Sequence, residues 1–149
     1  MRALSVAVLL GSGLTAGVLF AVALSMVPAL MAMPPGRYIY AHRLLGRNWD
    51  PTMPVVVLSS TLLDVALAVL APGGAARALF IVAAVCLVAV SGVSHLANVP
   101  INKRTRAVDP DNVPADWVDP RPVWRSWHLL RTALALIALL LNSLAVALI

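Results

Sequence analysis

Four long apolar runs separated by short polar stretches give this chain its organisation. The first, from Ala3 to Met33, ends at Pro34-Pro35-Gly36. The second runs from about Thr52 to Ala71 and stops at Pro72-Gly73-Gly74. A third opens at Arg77 and runs to about Asn98, and a fourth follows Asp119-Pro120 to the end of the chain. A helix needs roughly 20 apolar residues to cross a bilayer, and each run reaches that length. The pattern predicts an all-α fold, an integral membrane four-helix bundle forming one domain over residues 1–149, with spans at about 4–33, 52–71, 77–98 and 121–148.

The residues between and within the runs refine this outline. The first run is too long for a signal-peptide core and has no polar cleavage region after it. Pro28 predicts a kink there, and Gly13 with Gly17 forms a small-xxx-small pair that lets a neighbouring helix come close. Asp50-Pro51 and Asp119-Pro120 both read as an N-cap followed by proline at the first helical position. Between residues 37 and 50, Tyr38, Tyr40 and Trp49 suit the headgroup region, and part of this stretch is expected to be an interfacial helix. From Lys103 to Asp119 the chain is charged and rich in Asp and Pro, a loop long enough to act as a lid.

Composition agrees with the pattern. Of 149 residues, 61% are hydrophobic and 11% charged, with a mean hydropathy of +0.92, which excludes an ordinary soluble domain. The isoelectric point near 10.7 would suggest nucleic acid in a soluble protein. Here the basic residues sit in loops beside apolar runs, so the expected partners are the lipid bilayer and its headgroups, not nucleic acid. Arg37, Arg43, Arg47, Lys103, Arg104, Arg106, Arg121 and Arg125 fall at one end of a four-span bundle, against Arg2 and Arg77 at the other. The positive-inside rule then puts the two larger loops in the cytoplasm and both termini on the extracytoplasmic side, with the plasma membrane the expected location. The lone Cys86 lies in an apolar run, can form no disulfide framework and reads as inert core.

Candidate chemistry gathers at the loop-bearing end. Read as a helix, Trp124, Trp127, His128 and Arg131 fall at i, i+3, i+4 and i+7, on one face. A cation and an imidazole inside a span are costly unless they face partners or a cavity. Asp64, inside the second span, is the acid at comparable depth by the rise per residue, so an Asp64–Arg131 ion pair is expected. The alternative is that Arg131 reaches to the headgroups and Asp64 is protonated or bonds to Ser60. On the third span Ser91, His95, Asn98 and Asn102 form one polar stripe, interrupted at Pro100. The two Asn amides either close a broken helix end or bind a carbonyl or phenol. His42, His95 and His128 are candidate ligands for copper, iron or haem, although no His-x-x-x-His or Glu-x-x-His spacing supports a metal. Acid/base chemistry, substrate hydrogen bonding and a structural role are the other readings of the same imidazoles. Trp124 and Trp127 either stack on a planar ligand or anchor the helix at the interface.

Two of these motifs carry a family resemblance. Asn98-Val-Pro-Ile-Asn102, followed after an acidic loop by Trp124-x-x-Trp127-His128-x-x-Arg131-Thr132, resembles the small four-helix membrane proteins of the anthrone oxygenase-like family. Their pattern is Asn-x-Pro-x-Asn, then Trp-x-x-Trp-(Asn)-His-x-x-Arg-Thr; in this chain His128 follows Trp127 directly, where many relatives insert Asn. The stretch Phe20 to Leu30 also looks like that family's first helix. The resemblance implies a membrane-embedded monooxygenase that oxidises the methylene of an anthrone-like polyketide to a quinone carbonyl with O2. It implies that Asn98, Asn102, Trp127, His128 and Arg131 line the substrate pocket. His128 or His95 would then remove a proton, and Arg131 with the two Asn would hold the oxyanion. O2 is the co-substrate, with no cofactor, copper, iron and haem all left open, and a homo-oligomer equally open. The reading from a different class is a non-catalytic membrane protein that binds a lipid or protein partner through its buried polar network.

Overall fold

Proline decides how the first and third spans are built. In the computed structural model, which describes residues 1–149 apart from the side chain of Asp50, α1 (Arg2–Ala21) passes through a π-helical turn, Val22–Met26, into α2 (Val27–Ala32). Pro28 has no N–H to give an α-helical ladder, and the widened turn absorbs the gap, with the Val27 N–H returning to the Val22 carbonyl five residues back. The third span repeats the device. There α5 (Gly74–Val93) passes through the π turn Ser94–Asn98 into α6 (Val99–Ala107), just before and across Pro100. The sequence reading had this span ending near Asn98, with a loop from Lys103. Instead one helix continues from Gly74 to Ala107, because a proline in the first turn after a π turn blocks nothing.

The expected interfacial helix forms as α3 (Pro35–Leu45). It is followed by α4 (Trp49–Leu70) and, after the loop 108–120, by α7 (Arg121–Ala147). The cap expected at Asp50 lies outside the described residues. Four helices are long and apolar enough to cross a membrane: Arg2–Ala32, Pro51–Leu70, Gly74–Ala107 and Arg121–Ala147.

The spans pack as a square. α1 contacts α4 and α7, and α5 contacts the same two, so α1 faces α5 and α4 faces α7 across the diagonals. Lipid is as apolar as leucine, so close packing must hold such a bundle together. Accordingly its centre is lined by fully buried Ala83, Ala135 and Ala138 beside Leu87 and Val90. Cys86 belongs to this core. The close approach of α1 to α4 falls at Gly11, where an added Cβ would run into the Ser60 hydroxyl. Gly13 and Gly17, the pair singled out in the sequence, face open space.

Arginines close the helix ends. The last carbonyls of a helix have no partner of their own. Arg121 donates to the Leu30 and Met33 carbonyls at 2.9 and 2.6 Å, ending α2. Arg77 donates to Ala68 and Ala71 at the end of α4. Arg43 donates to the Arg106 and Val108 carbonyls at the end of α6, and Arg106 donates to Gly46 at the end of α3. The loop 108–120 does not become a lid over the bundle. Its Val108, Val113 and Trp117 pack on Leu30, Tyr38 and Ile39 at the α2–α3 corner.

Arg121 is itself held by a bidentate bond from Asp119, whose oxygens lie 2.6–2.9 Å away. The hydrogen-bonded guanidinium holds the Asp119 carboxyl below the usual carboxylate range. A lowered folded value means that the pair contributes fully above the ordinary Asp pKa of ~3.9 and is lost as pH falls through the folded value. Thermal melts from pH 7 down to pH ~3 should therefore show a steeper acid loss for the wild type than for Asp119→Asn. Parallel acid limbs would refute the coupling.

Candidate functional site

The two π turns face each other across a cavity of about 330 Å³ at the loop-bearing end of the bundle. Val22 and Met26 from one and Ser94 and His95 from the other line it, with Leu19, Met53, Val57 and Val90 as apolar walls. Single π turns inside α-helices often mark functional sites. The polar lining comes from α3 (His42), α5 and its π turn (Ser91, Ser94, His95), α6 (Asn102, Lys103, Arg106) and α7 (Trp124, His128, Arg131). All three histidines of the chain therefore open on one space.

Arg131 is the best-fixed group in it. Its Nε and Nη2 donate to His128 Nδ1 at 3.2 and 2.9 Å. Its Nη1 donates to Ser94 Oγ at 3.1 Å, while that hydroxyl gives its own proton to the Val90 carbonyl. Anchored on both arms of its fork, the guanidinium keeps its remaining N–H groups for the cavity it lines.

His128 is fully buried and both its nitrogens are in use. A carbonyl only accepts, so the 3.1 Å contact from Nε2 to the Leu19 oxygen puts the proton on Nε2 and leaves Nδ1 as acceptor for Arg131. The imidazole thus ties α7 to α1 and aims the guanidinium. Trp124 stacks flat on it at 5.0 Å and 3°. Asn98 and Asn102 hold Trp124 from the third span: Asn98 Nδ2 donates to its carbonyl at 3.2 Å, and its indole Nε1 donates to Asn102 Oδ1 at 2.8 Å. Asn98 is buried and lies behind the wall, whereas Asn102 is part of the lining.

His95 is different. Its Nδ1 bonds to the Ser91 carbonyl at 2.9 Å, which by the same reasoning leaves Nε2 as an acceptor. Among the described residues that nitrogen takes no hydrogen bond, on an imidazole that lines the cavity. Trp127, placed in the pocket by sequence, is 40% exposed on the outer face and suits an interfacial anchor. No three His, Cys, Asp or Glu side chains among the described residues come together as a ligand set. His42, His95 and His128 share a cavity without gathering around one point.

The expected Asp64–Arg131 pair is not formed. Asp64 is fully buried on α4, six residues or about 9 Å from the Leu70 end. Arg131 lies 16 residues or about 24 Å from the corresponding end of α7. Asp64 lies toward Asn142 across the bundle diagonal instead, and neither its carboxyl oxygens nor the amide atoms of Asn142 make a hydrogen bond among the described residues. A buried polar group left alone costs about 1–3 kcal/mol, while replacing both partners by apolar groups is near neutral. Asn142→Leu alone should therefore destabilise the bundle by about that amount, and Asp64→Leu/Asn142→Leu should recover most of it. Additive losses in denaturant titrations would refute the pairing.

Residues 42–141 match the family model described as anthrone oxygenase, a segment that starts at His42 and takes in the whole polar lining from α3 to α7. The chain belongs to the anthrone oxygenase family. No curated protein and no solved structure matches it. Within this family the informative departures from the sequence pattern are the freed His95, the fully engaged His128, and Ser94, which the sequence did not single out. Its signal was a hydroxyl one turn before Asn98, adjoining the polar stripe.

Proposed function

We propose that this membrane protein oxidises a hydrophobic, planar phenolic substrate of the anthrone type, turning a ring methylene into a quinone carbonyl with O2. What supports the reading most is the pairing, in one apolar-walled cavity, of the doubly anchored Arg131 with the unengaged Nε2 of His95. A base and an oxyanion holder are the two groups this reaction asks of a protein. The cavity volume of about 330 Å³ is at the small end for ligand sites and suits one compact ring system.

The substrate lies with its rings on the face of Trp124 that His128 leaves open, and its phenolic oxygen toward Arg131. His95 Nε2 takes one methylene proton, and the charge that develops on the oxygen is met by the Arg131 N–H groups and Asn102. The enolate passes one electron to O2, and the radical pair joins to form the C–O bond. The peroxide anion takes the proton back from His95. Loss of water, with departure of the second methylene hydrogen, leaves the carbonyl. The balance is R2CH2 + O2 → R2C=O + H2O. His128 works through Arg131, and Asp64 is too far along the bundle to take part. The α3 stretch and the loop 108–120 are cytoplasmic on this reading, both termini lie across the plasma membrane, and the substrate enters from the bilayer or the cytoplasmic face.

The test is turnover by the purified chain in lipid nanodiscs with an anthrone. The expected result is one O2 consumed per quinone formed, at a rate proportional to protein. Oxidation no faster than in protein-free nanodiscs would sink the reading.

A further inference from the structure

Aromatic rings are scarce in this chain, which has four tryptophans and two tyrosines, yet three of those six stand in a row leading away from the cavity. Trp124, in the lining, lies edge-on to His42 at 6.1 Å. His42 contacts Tyr38 at 5.5 Å, and Tyr38 contacts Trp117 at 6.3 Å. The row crosses three elements, α7, α3 and the loop 108–120, and runs from the cavity wall through the buried Tyr38 to the half-exposed Trp117.

We propose that Trp124, His42, Tyr38 and Trp117 form an electron-transfer chain that carries oxidising equivalents out of the cavity to a reductant in the medium. Indole and phenol are the side chains most easily oxidised by one electron after thiols, and electrons tunnel readily between rings in contact. The source of the oxidant rests on the oxygen chemistry proposed above, whereas the wiring itself does not. A peroxide ROOH made in the cavity and split homolytically before it loses water gives an alkoxyl radical, RO•, and a hydroxyl radical that takes a hydrogen atom from a soluble thiol to become water; RO• would otherwise attack the nearest ring permanently.

The steps balance as follows. RO• takes an electron from Trp124 and a proton from water in the cavity, giving ROH. The indole proton stays on Nε1, whose acceptor, the Asn102 amide oxygen at 2.8 Å, is a poor base, so Trp124 is left as a radical cation ready to be refilled. Tyr38 gives Trp124 one electron and releases its phenolic proton to water past the Thr105 hydroxyl that it meets. Loss of that proton together with the electron is enforced by Arg121, whose guanidinium lies 4.9 Å from the Tyr38 ring centre and opposes a second positive charge there. Trp117 refills Tyr38, which takes a proton back from water by the same route, and the indole proton of Trp117 passes to water. A soluble thiol then gives Trp117 a hydrogen atom, and two thiyl radicals couple to a disulfide. The net change is RO• + RSH → ROH + RS•.

The test needs no turnover. The full chain in nanodiscs is exposed to a hydrophobic organic hydroperoxide, cleaved to alkoxyl radicals by a trace of chelated ferrous iron, with and without glutathione in the medium. Oxygenation at Trp124 is then read by peptide mass spectrometry. In the wild type glutathione should suppress oxygenation of Trp124 severalfold. Tyr38→Phe, which keeps the ring but not the proton-coupled redox step, should abolish that protection, and so should Trp117→Phe, made on the loop in case the first variant folds poorly. Equal protection in the wild type and in the folded variants would overturn the proposal. A chain that cannot oxidise anthrone yet shows the protection would sink only the enzymatic reading, and the reverse pair of results would sink only this one.

Discussion

Replacing His95 by alanine is expected to lower kcat for the proposed anthrone oxidation by a factor on the order of 10²–10⁴, the usual contribution of a positioned general base, with little change in KM. The reasoning is one of hydrogen-bond accounting. Of the three imidazoles that line the cavity, His128 spends both nitrogens, one on Leu19 and one on Arg131. His95 spends one, on Ser91. Abstraction by His95 also predicts that free imidazole in the medium restores part of the rate to the alanine variant. His95 is exposed in the helix surface, so its removal leaves melting almost unchanged. A variant that keeps more than a tenth of wild-type kcat would transfer the role of base elsewhere.

Arg131→Met should cost kcat/KM a factor on the order of 10²–10³, the loss that follows removal of one fixed oxyanion donor. Stability is expected to change little, because removing a charge from inside a span offsets leaving the buried His128 Nδ1 without its donor. That contrast separates the enzymatic reading from a purely structural network, in which replacing Arg131 would harm folding and leave no turnover to lose. Arg131→Lys should recover little: an ammonium is a single point charge and cannot keep His128 Nδ1 and Ser94 Oγ while still facing the substrate. Equal activity in Arg131→Met and the wild type would remove the oxyanion role.

Much of the architecture is legible in the sequence because membrane helices must satisfy their own backbone, so apolar run length translates almost directly into spans. The face shared by Trp124, His128 and Arg131 is legible too, since steps of four and seven residues return nearly to the same side at 3.6 residues per turn. A step of three falls about 60° short, and Trp127 accordingly turns outward. What was hidden is depth. Counting inward from the loops sets Asp64 beside Arg131, but α7 has 27 residues and α4 has 22. The longer helix projects beyond the shorter one at the loop end, which carries Arg131 away from Asp64. Arg131 also leans toward its own helix start, as long helical side chains do, and meets His128 there. The π turns were hidden for another reason. Proline signals a break, but whether a helix ends or widens depends on whether neighbours such as His128 stand ready to bond the carbonyls beside it.

Arg43, Arg77, Arg106 and Arg121 each donate to carbonyls at a helix end, and three of these four lie among the basic residues by which a translocon would orient the chain. Insertion and termination are thus written in the same letters. Exchanging these arginines for lysines would preserve the charge that sets which way the protein threads into the bilayer, yet leave forked sites answered by a single ammonium. Such a chain would insert with the same handedness and come apart more easily at its corners, so the orientation of this protein cannot drift in evolution without its hinges drifting too.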